Sequence, residues 1–272
     1  RGTEDMKGTI AAMLIAVAAV RQCWIAPNVN IQLSFTPDEE IGGETGFGWL
    51  VKKGLVKADC AMSEGYSNAV VACGNKGIVW AEITVKGKAA HASVPYKGVN
   101  AFEYAALLVR RLCALRDEIG QRVSGWDVCS LEDKHPSLVM GGIVQGGAKT
   151  NVVPDRVTFS VDRRVLPEET IAQAKQEIQD VVAAFCREHP AVRATVSFTS
   201  VHPPVCIDRQ SRICHSVEQA IRAVYNRPAQ FALLPGGTDM RYLIQKGIPA
   251  VGYSACGGGR WHGDNEYVTV RS

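Results

Sequence analysis

The sequence predicts an α/β protein with a mainly parallel sheet, into which a smaller α+β unit is inserted. Three observations predict it. Strand and helix patterns alternate up to about residue 74 and resume near residue 200. Between them, residues 75–199 read β-α-β-β-α-β. The length, 272 residues, suits two domains at roughly 100–200 residues each. Apolar residues make up 46% and charged residues 21%. That balance excludes wholesale disorder, collagen-like repeats and coiled coil.

The elements follow in order. Residues 7–23 read as a helix, with Ile10, Leu14, Val17 and Arg21 at helical spacing. The remaining faces are Ala-rich, so packing on several sides is expected. Asn30–Phe35 alternates as a strand, and Glu44–Lys53 reads as a short helix capped by Gly54. Cys60-Ala61-Met62 is a strand that Ser63-Glu64-Gly65 should stop. From Ile78 to Val85 apolar and polar residues alternate. Helices are expected over 99–117 and 168–188, and strands over 137–144, 156–165 and 192–199. This is the ferredoxin-like, split βαβ plan. Ile213, Val217, Ala220, Ile221 and Val224 then mark an amphipathic helix, followed by strands at 233–239 and 248–253. The expected domains are 1–74 plus 200–272, and 75–199.

Net charge is +3, and no basic stripe is present, which argues against a nucleic-acid partner. The strongly apolar stretch between Lys7 and Arg21, 13 residues long, is too short to cross a bilayer. The sequence opens at Arg1 without a charged-then-apolar pattern, so no signal peptide is expected. The nine cysteines contain no C-x-x-C pair and sit mostly in apolar runs. They read as reduced core residues, and the expected location is cytoplasmic, with no membrane partner.

Several carboxylates fall at strand or helix ends beside glycines, where α/β folds place ligands. Asp5 precedes the first helix, Glu39-Glu40 follow a strand pattern, and Glu64 follows another. His262 follows Gly257-Gly258-Gly259. Each alone has a bland explanation, as a helix cap, a solvated pair or a structural histidine. Together they suggest a cation site with oxygen and nitrogen ligands, suited to zinc, manganese or cobalt. No G-x-G-x-x-G or phosphate-loop sequence supports a nucleotide enzyme.

Seven stretches share the order and wording of one family. They are D-M-K-G at 5–8, T-P-D-E-E-I-G-G-E-T-G at 36–46 and G-K-A-A-H-A-S-V-P-Y-K-G-V-N-A at 87–101, then T-N-V-V-P-D at 150–155 and V-D-R-R-V-L-P at 161–167. L-P-G-G-T-D at 234–239 and W-H-G-D-N-E-Y-V at 261–268 complete the set. Across essentially its whole length the chain resembles the di-zinc amidohydrolases of the acetylornithine deacetylase, succinyl-diaminopimelate desuccinylase, aminoacylase and glutamate carboxypeptidase type.

The resemblance implies a phosphorylase/hydrolase-like catalytic domain and an inserted dimerisation (lid) domain. It further implies two Zn(2+) per subunit, with Co(2+) or Mn(2+) as alternatives. Asp5 would bridge the two metals, Glu64 would ligate the first, and Glu40 with His262 the second. Glu39 would be the general base, and His91 would reach across a dimer interface to the substrate carbonyl. Asn151, Arg164, Gly236, Gly237 and Thr238 would hold the substrate. Strand parity sets Arg164 on the polar face of 156–165 and Arg163 on the apolar one. The implied reaction is hydrolysis of an N-acyl amino acid or small peptide, by a homodimer. Two features depart from the family. Gly65 stands where many relatives have proline, and the family's His-x-Asp strand and final helix would fall before Arg1 and after Ser272. The chain is therefore expected to be cut at both ends, with the first metal site lacking its histidine. A second reading follows, a non-catalytic relative that dimerises or binds ligand.

Overall fold

The computed structural model describes residues 2–23, 28–255, 257–259 and 262–269; Cys256, Arg260 and Trp261 lie outside them. The chain forms two compact units. The first comprises residues 1–75, 126–129 and 205–272; the second comprises 76–125 and 130–204.

The first unit is built on a mixed sheet of five strands. They are β1 (Ala61–Tyr66), β2 (Val70–Asn75), β9 (Val205–Cys206), β10 (Gln230–Leu234) and β11 (Ala250–Tyr253). The order is β1-β11-β2-β10, with β9 also on β2. β1 runs parallel to β11 and β10 parallel to β2, while β11 and β2 meet antiparallel at Gly252 and Ala72. Alternate side chains of β2 go to opposite faces. Val71 and Cys73 pack with Cys214 and Ile221 of α5 (Arg212–Tyr225). Ala72 packs with Met240 and Leu243 of α6 (Met240–Ile244) and Val51 of α2 (Phe47–Lys52). Both faces are covered, which is why these strands read as apolar runs. A short ribbon joins β12 (Gly258–Gly259) to β13 (Tyr267–Val268).

Three expectations for this unit need correction. Helix α1 (Lys7–Gln22) forms, but only Thr9 is buried, and Leu14 and Ile15 are 48% and 68% exposed. Its alanines keep the surface smooth, yet no described element covers that face. Asn30–Phe35 is not a strand. A period-2 pattern makes a ladder only where a neighbour accepts its backbone, and none pairs with it among the described residues. It is held through Gln32, whose side chain bonds the Leu55 carbonyl and the Lys57 amide. Finally, β1 continues through Ser63-Glu64-Gly65 rather than stopping there. Its register shifts between Ser63 and Tyr66. A Cβ at position 65 would lie 2.3 Å from the Gly252 backbone, so glycine lets the two strands stay together.

The second unit has the β-α-β-β-α-β order. Its sheet contains β3 (Gly77–Lys86), β5 (Ser137–Gly146), β7 (Arg156–Val165) and β8 (Arg193–His202) in the antiparallel order β5-β7-β3-β8. Helices α3 (Ala101–Ile119) and α4 (Ile171–Glu188) cover it. Asn100 caps α3 by accepting from the Phe102 and Glu103 amides, and Thr170 caps α4 through the Gln173 amide. Ala81, Ile83 and Val85 pack against Leu108, Leu112, Ile178 and Phe185. A short ladder pairs β4 (Ala90–His91) with β6 (Val152–Val153). Among the described residues no helix is long and apolar enough to cross a membrane.

Candidate functional site

In the first unit Asp5, Glu40 and His262 converge. Each offers one ligand atom, and these atoms all lie within 4.8 Å of one another. His262 Nε2 is 2.7 Å from Asp5 Oδ2 and 3.3 Å from Glu40 Oε1. Two carboxylates and an imidazole that close form a donor set for a divalent cation.

Local structure brings each of them in. Asp5 sits in the turn before α1, where the Glu4 and Asp5 amides both donate to Glu266 Oε1, at 2.6 and 2.9 Å. Glu4 in turn accepts from the Gly258 amide at 3.0 Å. The D-M-K-G and G-D-N-E-Y stretches are thereby fastened together. Glu40 lies on a single 3-10 turn, Glu39–Ile41. Asp38 wraps the loop around itself. Its carbonyl accepts from the Ile41 and Gly43 amides, and its carboxylate accepts from Thr45 and the Gly46 amide. Gly42 ends the turn at φ +111°, a left-handed conformation that favours glycine. Its carbonyl accepts from Arg241 and from the Tyr242 hydroxyl.

Glu39 and Glu64 belong to a second acidic group with Asp239. Burial pushes the Glu39 carboxyl up to about 8; Glu64, Asp239 and Glu40 add to the rise, and Arg241 opposes it. Burial likewise pushes Asp239 up to about 7, helped by Glu64 and Asp38 and opposed by Arg241. Glu64 accepts from the Asp239 amide at 3.3 Å and from the Ser63 hydroxyl at 2.5 Å. Buried oxygens of Glu4, Asp38, Asp239 and Thr238 have no hydrogen-bond partner. An excess of buried carboxylate over cationic side chains is what a bound cation would relieve. Gly236 and Gly237 lead from β10 to Thr238, whose carbonyl accepts from Arg241 at 2.8 Å.

The second unit holds the other three predicted residues. His91 pairs with Val152 across β4 and β6, and the Ala92 amide donates to the Asn151 carbonyl at 2.9 Å. His91 and Asn151 are therefore neighbours. Arg164 is half-buried on β7, its guanidinium forked onto Asp162 at 2.8 and 2.9 Å. Arg163 is fully buried, as strand parity requires.

The sequence reading missed Asp38, Asp239, Arg241, Tyr242 and Glu266. Three of these lie within the quoted motifs: Asp38 in T-P-D-E-E, Asp239 in G-G-T-D and Glu266 in D-N-E-Y. A second acid inside a ligand motif was the available signal.

Residues 73–190 match the peptidase dimerisation domain of M20 proteins. Human aminoacylase-1 is 26% identical over 93% of this chain, and acetylornithine deacetylase of Myxococcus xanthus is 26% identical over 99%. The chain is thus a homologue of aminoacylase and acetylornithine deacetylase, and its M20 match lies in the dimerisation domain. It spans 62% of the first of these relatives and 67% of the second. Among solved structures, a Staphylococcus aureus tripeptidase superposes with a TM-score of 0.75 at 23% identity, covering 94% of this chain and 64% of that one. At that identity the likeness speaks to the fold. The M20 relationship also implies use of a divalent metal, which the donor set of Asp5, Glu40 and His262 suits.

Proposed function

We propose that this chain carries the catalytic residues of a metal-dependent hydrolase that cleaves the amide bond of an N-acyl amino acid or small peptide. The observation that carries this reading is the convergence of Asp5, Glu40 and His262 beside a buried, acid-crowded Glu39. Asp5, Glu40, Glu64 and His262 would hold the metal, zinc being the leading choice with cobalt and manganese as alternatives. When bound, the metal supplies Lewis acidity and charge neutralisation at the substrate oxygen.

Glu39 acts as general base. It accepts a proton from the attacking water and returns it to the leaving amine, so that water and amide become carboxylic acid and amine. A carboxylate that can take up the proton and release it again suits both transfers. His91 donates to the substrate carbonyl oxygen as negative charge develops there. Asn151, Arg164, Gly236, Gly237 and Thr238 bind the rest of the substrate. Arg164 forks onto Asp162 through Nε and Nη2, and its remaining N–H groups would face a substrate carboxylate. Residues 1–74 and 200–272 form the catalytic domain in this reading, and 75–199 the dimerisation domain of a homodimer. A cytoplasmic setting belongs to the same reading, supported by eight cysteines that form no disulfide among the described residues.

The decisive test is Glu39→Ala in the active protein, assayed on N-acetyl-ornithine, N-succinyl-diaminopimelate and simple dipeptides. Cation binding should persist while turnover falls by roughly 10²–10⁴. Retained turnover would refute the role. A protein that binds the cation and dimerises yet leaves the whole panel intact would favour the non-catalytic reading.

A further inference from the structure

The turn after β4 folds back onto the ring of His91. The Val94 amide donates to the His91 carbonyl at 2.9 Å, closing a four-residue turn over Ala92 and Ser93. Two groups of Ser93 then meet the same ring nitrogen. Its amide nitrogen lies 3.2 Å from His91 Nδ1, and its hydroxyl lies 2.8 Å from it.

A backbone amide can only donate. That contact favours Nδ1 as the nitrogen without a proton, because a ring N–H there would point at the amide hydrogen, but at 3.2 Å it is weak and leaves the side chain to decide. The Ser93 hydroxyl at 2.8 Å can turn its proton onto the same lone pair, which strengthens that preference. A neutral imidazole carries one ring proton, which this arrangement assigns to Nε2. The Ala92 amide, bonded to Asn151, fixes the backbone on the other side of the turn.

We propose that Ser93 is a positioning residue that selects the Nε2–H tautomer of His91, so that His91 offers a hydrogen-bond donor, not a lone pair, to the substrate oxygen. The proposal rests on the reading of His91 given above. It matters because the opposite tautomer would set a nitrogen lone pair against a developing oxyanion. The ring would then oppose the reaction at the same position.

The test reads the tautomer directly. Nitrogen-15 spectra of the whole chain, with His91→Asn to assign the signals, should show an unprotonated Nδ1 and a protonated Nε2 in the neutral ring. Ser93→Ala keeps the amide but removes the hydroxyl, and should give a mixed signal. Ser93→Asp supplies an acceptor and should move the proton to Nδ1. Backbone spectra report whether each variant is folded.

In the active protein, Ser93→Ala should lower kcat by roughly threefold to tenfold, as loss of one hydrogen bond implies, with KM little changed. Ser93→Asp should lower it by roughly 10² or more, and Ser93→Thr should restore it. A protonated Nδ1 in the wild type, or a tautomer that Ser93→Asp leaves unmoved, overturns the proposal. A tautomer that shifts while kcat stays constant overturns instead the oxyanion role of His91, leaving tautomer control by Ser93 standing.

Discussion

Both units bury carboxylates, and they treat them in opposite ways. In the second unit Arg163, only 1% exposed, donates to Glu169 Oε1 at 2.7 Å. Arg122 reaches the same oxygen at 2.6 Å and Glu177 at 2.7 Å, while the Leu166 amide holds Glu169 Oε2 at 2.8 Å. Two arginines thus face two glutamates. In the first unit Glu39 and Asp239, crowded by Glu64, share one buried guanidinium among the described residues, that of Arg241. Burial acts on both sites alike, and only the counter-charge differs. Burial alone would raise Glu169, but hydrogen bonds from Arg163, the Leu166 amide and Arg122 outweigh it and hold the carboxyl below the usual range. Glu39 and Asp239 are instead driven up. A balanced buried cluster supports a fold, and an unbalanced one marks a place where a cation or a proton is to be handled.

The largest expected effect breaks the balanced side. Arg163→Met leaves Glu169 buried with one arginine fewer, which should cost about 3–5 kcal/mol. Urea unfolding, followed by hydrogen exchange of β3 and β7 amides, measures it. Adding Glu169→Leu should recover most of the loss, since the stranded charge is then gone. A loss under about 1 kcal/mol for the single change would mean that Arg122 alone balances the cluster.

Acid should act on the same cluster with a definite sign. The folded Glu169 carboxyl lies below its unfolded value, near 4.3 for an ordinary glutamate. Its contribution is therefore present above that unfolded value and lost as pH falls through the folded one. The second unit should lose protection below about pH 4.3. Arg163→Met should reverse the trend, because the stranded carboxylate is easier to bury once protonated. Stability against pH, followed by exchange of the same amides, distinguishes the two slopes.

Much of this was legible in the sequence where contacts are periodic or local. Helix α3, helix α4 and the alternation of β7 follow from spacing, and Arg163 declared itself by parity although it is charged. Asp5, Glu40 and His262 stood out only as acids and a histidine at element ends. Their convergence depends on Glu266 holding the Glu4 and Asp5 amides, 262 and 261 residues away in sequence. Arg241 reaches Gly42 across 199 residues, and no local pattern encodes that. Periodicity misled at Asn30–Phe35 and along α1. A period states which face could be covered, whereas the presence of a partner decides whether it is. The continuation of β1 through Glu64 was hidden for a related reason, since Gly65 reads as a turn residue until Gly252 is seen beside it.

The smallest expected effect tests how the unbalanced side keeps its shape. The turn carrying Glu39 and Glu40 is short, and its Gly42 carbonyl is gripped by the Tyr242 hydroxyl at 2.5 Å and by Arg241. Arg241 also donates to the Tyr242 oxygen at 3.2 Å. Burial pushes the Tyr242 hydroxyl up from its ordinary value, so it stays a donor throughout the neutral range. Tyr242→Phe removes that donor and leaves Arg241 in place, so the loss should be about 0.5–1.5 kcal/mol. If the grip serves the ligand set, part of that loss appears as weaker zinc binding, by roughly tenfold or less, in a calorimetric titration. If affinity is unchanged while stability falls, the clamp serves the fold, and Asp38 alone shapes the turn for its ligand.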